Sequence, residues 1–322
     1  MFRRPFLSAR LPGRLAAGIL LAALLGIQTP ALAAVFYVFA VRDNGQIDSI
    51  NTVDGTATVV RAAGGTVLND LAFDSAGNLY GIASPGTTAN VFYPVNATTG
   101  VLGTGVSLSG NNFNLSTATP ANALSISGTG TVYTGTSDIN DARQSPYTIN
   151  TTTGATTKVG AGNNTFGTSF TVSSTGTTFG NPNMDVATEG DYVFNGSTMI
   201  GTLSVTGLPG ANAVNNGSYL ATINTTTGAA TLIGKTLSSG TNIPIEGLAW
   251  DPRGTGTLWG VSGNTLYTIN TATGALTVRF TFLGANYQGA TGIVPEPASL
   301  AVLAAGLAGL AWARRRRPPA AS

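Results

Sequence analysis

The chain of 322 residues contains no cysteine and no histidine, and only 9% of it is charged. These absences exclude thiol nucleophiles, Ser-His-Asp triads, imidazole bases and every Cys/His zinc arrangement. Without disulfides, packing alone must stabilise the fold. Long apolar runs occur only near the two ends, and no stretch between residues 35 and 294 has a helical period. Clustered positive charge is also missing from the body. Eight of the fifteen basic residues are Arg3, Arg4, Arg10, Arg14 and Arg314 to Arg317. Between residues 34 and 294, seven bases face twelve carboxylates, a net charge of −5. Nucleic-acid binding thereby loses its main source of affinity.

What the body has is glycine, 43 residues in the whole chain, set among short runs of aromatic and β-branched residues. That pattern reads as all-β. One hairpin recurs as Tyr147 to Thr157, Leu220 to Thr231 and Tyr267 to Thr277, and more loosely as Ile47 to Thr58 and Phe92 to Gly100. Each copy centres on an Asn-initiated turn ending in glycine, at positions 55, 100, 154, 228 and 274. A second hairpin recurs upstream of it, as Leu71 to Gly81, Leu124 to Thr134, Phe170 to Gly180 and Leu248 to Gly260. Two hairpins make four antiparallel strands, and the turn glycines are spaced by 45, 54, 74 and 46 residues.

This is the spacing of β-propeller blades. The expected fold is a propeller of about five four-stranded blades, or six if the interval Asn181 to Asn216, read as an insertion, holds another. A β-sandwich or β-solenoid adhesin is the competing architecture. The first blade starts at its second strand, Phe36 to Val41, and Gln288 to Val294 has no hairpin partner. The C-terminal strand is therefore expected to fill the vacancy and close the ring, removing open sheet edges. The segment Phe73-Asp74-Ser75-Ala76-Gly77-Asn78-Leu79-Tyr80-Gly81 resembles blade hairpins of NHL-like and gluconolactonase-like propellers. That resemblance is a turn pattern and implies a fold only.

Residues 1–33 have an Arg-rich start, an apolar run from Leu15 to Ile27 and the small residues Ala31 and Ala33 around Leu32. This is a signal peptide cleaved by signal peptidase before Ala34. Arg3-Arg4-Pro5-Phe6-Leu7 also resembles a twin-arginine export motif. At the other end, Val294-Pro295-Glu296-Pro297-Ala298-Ser299 precedes an apolar run to Ala313 and then Arg314 to Arg317. This resembles the PEP-CTERM sorting signal of Gram-negative bacteria that make extracellular polysaccharide. The resemblance makes Pro295, Glu296 and Pro297 recognition residues for an exosortase-type transpeptidase. As a helix, Ala298 to Ala313 would span ~24 Å and anchor the precursor transiently in the inner membrane. The four arginines would stay cytoplasmic. The expected organisation is residues 1–33 signal, 34–294 extracellular propeller, 295–317 sorting segment and 318–322 tail.

Candidate chemistry in the body rests on carboxylates. Asp70 and Glu246 fall at equivalent starts of inner strands and are the candidate acid and base of a secreted glycosidase or lyase. Asp138, Asp141, Asp185, Glu189 and Asp191 are read as loop carboxylates that could hold calcium, although no calcium-repeat spacing is present. Trp250 and Trp259 occupy apolar repeat positions and are expected in the core. The leading expectation is a noncatalytic protein without cofactor at the cell surface or in the extracellular matrix, binding extracellular polysaccharide or surface partners. The alternative is a carbohydrate-active enzyme.

Overall fold

The computed structural model describes residues 35–84, 90–110, 120–136, 145–162, 164–181, 184–253 and 256–293. The signal peptide with Ala31 and Ala33, the sorting residues Pro295, Glu296 and Pro297, the apolar C-terminal run, and Asp138 and Asp141 lie outside them. Residues 35–293 form one compact unit. Among the described residues, no helix is long and apolar enough to cross a membrane.

The body is a five-bladed propeller of four-stranded antiparallel sheets. Blade 1 comprises β1 (Tyr37–Arg42), β2 (Ile47–Asn51), β3 (Ala57–Arg61) and the C-terminal β24 (Tyr287–Ile293), with β24 innermost. Blade 2 contains β4 (Asp70–Phe73), β5 (Leu79–Ala83), β6 (Val91–Val95) and β7 (Val106–Ser107). Blade 3 contains β8 (Ala121–Ile126), β9 (Val132–Thr136), β10 (Tyr147–Ile149) and β11 (Thr156–Lys158). A two-stranded hairpin, β12 (Ser169–Thr171) and β13 (Thr178–Gly180), precedes blade 4. That blade consists of β14 (Asp185–Asn195), β15 (Thr198–Thr206), β16 (Gly217–Ile223) and β17 (Ala230–Lys235). A second small hairpin, β18 (Leu237–Ser238) and β19 (Thr241–Asn242), leads to blade 5. The last blade is β20 (Gly247–Asp251), β21 (Thr257–Ser262), β22 (Thr265–Ile269) and β23 (Leu276–Thr281). The innermost strands β24, β4, β8, β14 and β20 touch in that order and return to β24.

The ring closes as the strand count requires: Tyr37 pairs with Ile293, Phe39 with Thr291 and Val41 with Gly289. Tyr287, wholly buried at the start of the closing strand, donates its hydroxyl to Asp48 at 2.9 Å. Asp48 in turn pairs with Arg42 at 2.6 Å.

The repeated Asn turn locks each blade to its neighbour. Asn150 Oδ1 accepts the backbone N–H groups of Thr152 and Thr153 at 3.0 Å, and Asn96, Asn224 and Asn270 each accept two N–H groups in the same way. The closing glycine then presses against the preceding blade. Gly154 has φ +73° and a Cβ there would collide with the Ser107 carbonyl of blade 2, while Gly55 lies on the Phe280 ring of blade 5. Gly154→Ala should therefore destabilise the mature protein by about 2–3 kcal/mol, seen as a lower urea midpoint at unchanged slope. A loss below about 0.5 kcal/mol would show that the turn does not interlock the blades.

Blade 4 departs from the sequence expectation. Phe170 to Gly180 is not an inner hairpin, and Asn181 to Asn216 is not an insertion. The 181–216 interval supplies β14 and β15, the two inner strands, and no sixth blade. Length and burial explain the exchange. β14 and β15 span eleven and nine residues with long buried runs. The three-residue β12 and β13 each bury only their central phenylalanine, leaving Ser169, Thr171 and Thr178 exposed. Only the longer pair can fill the centre of a blade. The shorter hairpin instead lies along outer strand β17, where the Ser173 and Ser174 N–H groups donate to the Leu232 and Ile233 carbonyls at 2.9 Å. Trp259 is buried in the core and Trp250 is partly buried against a second cluster, matching their expected role.

Candidate functional site

Every innermost strand donates one backbone N–H to a carboxyl group at the centre of the ring. The five residues concerned are Ala290, Leu71, Leu124, Tyr192 and Leu248, one per blade. Two carboxyl groups collect all five. Asp70 accepts from Leu71 at 2.8 Å, Leu124 at 2.6 Å and Ala290 at 3.1 Å. Asp191 accepts from Leu248 at 2.8 Å and from Tyr192. The strands come close enough because glycine faces the axis, as at Gly289, where any Cβ would overlap the backbone of Asn69 and Asp70. Both carboxyl groups are completely buried.

Asp70 and Asp191 also hydrogen-bond one another, which requires a proton between them. Burial, then the charge of Asp191, raises the Asp70 carboxyl well above the ordinary range. Burial pushes Asp191 up to about 8, opposed by its hydrogen bonds from Asp70 and the Leu248 N–H. The loop placement read for Asp191 is thereby corrected. It stands inside β14, and its oxygens are occupied by protein donors. The available signal was Asp191-Tyr192-Val193-Phe194, which repeats the Asp-apolar-apolar-Phe order of Asp70-Leu71-Ala72-Phe73.

A layer of side-chain amides lies just before this one. Gln288, Asn69 and Asn122 each donate a side-chain amide to the next blade, to the carbonyls of Leu68 at 3.3 Å, Ala121 at 2.7 Å and Glu189 at 2.9 Å. This chain of amides stops at blades 4 and 5, where Glu189 and Glu246 replace them. Thr202 takes over the crossing from blade 4 to blade 5, donating to the Ile245 carbonyl at 2.9 Å. The result is an acidic notch in a rim of amides.

Glu189 and Glu246 are half-buried. Burial raises the Glu189 carboxyl, Ser218 opposes this by hydrogen bonding, and the charge of Glu246 adds to the rise. Burial likewise raises Glu246, offset by the Gly263 N–H and reinforced by the charge of Asp43. Glu189 Oε2 and Asn122 Oδ1 are buried acceptors that receive no hydrogen bond.

Of the sequence candidates, Asp70 and Glu246 fall in successive layers and have different carboxyl neighbours: Asp191 for Asp70, Glu189 and Asp43 for Glu246. Glu189, read as a loop residue, is the one brought beside Glu246. Among the described residues, no three or more carboxylates gather in one place. Asp74 is a turn former, accepting the Ala76 and Asn78 N–H groups at 2.9 and 2.8 Å.

Fold and site together define a five-bladed propeller whose central amide rim is interrupted by two glutamates, followed in the sequence by a sorting tail. Residues 294–317 match the PEP-CTERM protein-sorting motif. That signal marks an exported, envelope-associated protein processed by an exosortase. A search of curated proteins finds no match. Among solved structures, the gluconolactonase XC5397 from Xanthomonas campestris is 15% identical, with 79% of this chain and 78% of that one covered and a TM-score of 0.37. TolB from Acinetobacter baumannii is 12% identical, covering 87% and 71%, with a TM-score of 0.41. A chain of the nidogen/laminin complex is 11% identical, covering 80% and 98%, with a TM-score of 0.44. Likeness this distant carries no activity to the present chain.

Proposed function

We propose that this is a noncatalytic surface or matrix protein that binds extracellular polysaccharide through the acidic notch in its amide rim. The observation that supports it most is the neighbouring pair of half-buried carboxyl groups, Glu189 and Glu246, that interrupts the amide rim. Sugar hydroxyls are donors that a half-buried carboxylate accepts, and a hydrogen bond to a charged group contributes about 1.5–3 kcal/mol. The deeper carboxyl groups of Asp70 and Asp191 bind backbone and each other, which favours a structural role over contact with substrate.

A second reading, a glycosidase or lyase, is favoured by one feature: Glu246 and Glu189 are adjacent carboxyls raised by burial, the condition for one to act as acid while the other is ionised. One experiment separates the two readings. The mature protein is incubated with the extracellular polysaccharide of its source organism, and retention and new reducing ends are measured together. Retention without product, weakened at least fivefold by Glu189→Gln or Glu246→Gln, is the expected result. New reducing ends abolished by Glu246→Gln would establish the enzyme, and neither signal would exclude polysaccharide as the partner.

A further inference from the structure

The strand that closes the ring is the strand that leads into the sorting motif. β24 ends at Ile293, paired with Tyr37, and the matched motif begins at residue 294. Pro295 has no N–H to donate to a strand ladder. There is accordingly no spacer between the last rung of blade 1 and the Pro-Glu-Pro residues. Four residues before Tyr37 lies Ala33, the expected end of the signal peptide. Both processing points thus attach to one pair of paired strands.

The two halves of β24 are held differently. Tyr287, Gly289 and Ala290 are buried. The Tyr287 hydroxyl binds Asp48, and the Ala290 N–H binds Asp70. Thr291, Gly292 and Ile293 are only half-buried. They are held by the ladder to Phe39, Val38 and Tyr37, by a 3.3 Å bond from the Phe73 N–H to Thr291 Oγ1, and by packing of Gly292 on the Phe36 ring. Strand ends of this kind open locally at far lower free energy than the core.

An extended peptide is commonly gripped by strand addition, through main-chain hydrogen bonds along its length. Upstream of Pro295, the residues available for this are the last rungs of β24. We propose that the sorting enzyme and strand β1 compete for Thr291–Ile293, so that the tail is processed only when this end of the closing strand is peeled from blade 1. The anchored half, Tyr287 to Ala290, keeps the ring shut meanwhile. In the cut itself, the acceptor hydroxyl, amine or water adds to the carbonyl of the bond at the motif as the C–N bond breaks. The acceptor's proton leaves on the new amine of the released fragment.

The test follows processing of the full-length precursor by pulse-chase in an exosortase-bearing host. Inserting eight Gly/Ser residues between Ile293 and Val294 supplies the missing spacer and should shorten the processing half-time at least fivefold. Tyr37→Cys with Ile293→Cys locks the frayed end, and the absence of native cysteine makes that bridge the only one that can form within a chain. The oxidised pair should accumulate as precursor, whereas the same protein kept reduced should be processed, showing that it folds and is recognised. An unchanged half-time with the spacer, or normal processing of the oxidised pair, would overturn the proposal.

Discussion

Replacing Asp70 by alanine should leave the propeller unable to fold. The substitution strips acceptors from three buried N–H groups, those of Leu71, Leu124 and Ala290, which belong to blades 2, 3 and 1. Each orphaned group costs about 1–3 kcal/mol, and the sum of roughly 3–9 kcal/mol rivals the whole stability of a typical domain, about 5–15 kcal/mol. Asp191 would also lose its proton-sharing partner. The measurement is urea unfolding of the exported protein followed by near-ultraviolet circular dichroism. A cooperative transition within about 1 kcal/mol of wild type would show that the carboxyl pair does not hold the ring together.

The second large effect concerns the closing strand. A chain ending at Asn286 should yield an open ring that aggregates, because β1 becomes a bare edge and the buried faces of blades 2 and 5 lose β24. It also removes the Tyr287 hydroxyl from Asp48, leaving that buried aspartate with Arg42 and Gln46. Size-exclusion chromatography should show only high-mass material, and adding the peptide Tyr287–Ile293 during refolding should restore a monomer-sized peak. A soluble, cooperatively folding truncated chain would refute ring closure as the source of stability.

The carboxyl pair predicts an unusual dependence on pH. Its folded-state affinity for protons exceeds that of the unfolded chain, so unfolding releases protons and becomes easier as pH rises. The contribution is fully present below the unfolded carboxylate range near pH 4 and is lost progressively as pH climbs toward 8, the value to which Asp191 is pushed. Glu189 and Glu246, also raised, act in the same direction. The slope should reach about 1.4 kcal/mol per pH unit for each proton retained on folding. Asp74, whose hydrogen bonds from Asn78 and Ala76 outweigh burial and hold it below the ordinary range, acts oppositely and only in stronger acid. Unfolding midpoints should therefore be highest near pH 4–5, and Asp191→Asn should flatten the decline from pH 5 to 8. A wild-type midpoint that rises over that interval would contradict the shared proton.

Local chemistry explains how much was legible in advance. An Asn whose side chain accepts two N–H groups, followed by a glycine at positive φ, makes the same turn wherever it occurs, so the repeat of Asn150 to Gly154 shows in the letters. Ring closure was equally open to counting, since a lone strand at each end can be satisfied only by the other. Blade 4 was misread because the Phe170 to Gly180 hairpin has the right turn but strands too short for a blade centre.

The sequence by itself therefore determined the all-β body, its repeated turns, the pairing of its two ends and the segments that direct export and sorting. These rest on neighbours within a dozen residues, on a strand count, or on a linear motif read by another protein. The tertiary structure alone decided that Asp70 and Asp191 share the axis and that Glu189 and Glu246 interrupt the amide rim. It also decided which hairpin became the inside of blade 4. Those outcomes depend on which backbone donors and buried surfaces from five separate blades converge, and no local pattern encodes that convergence.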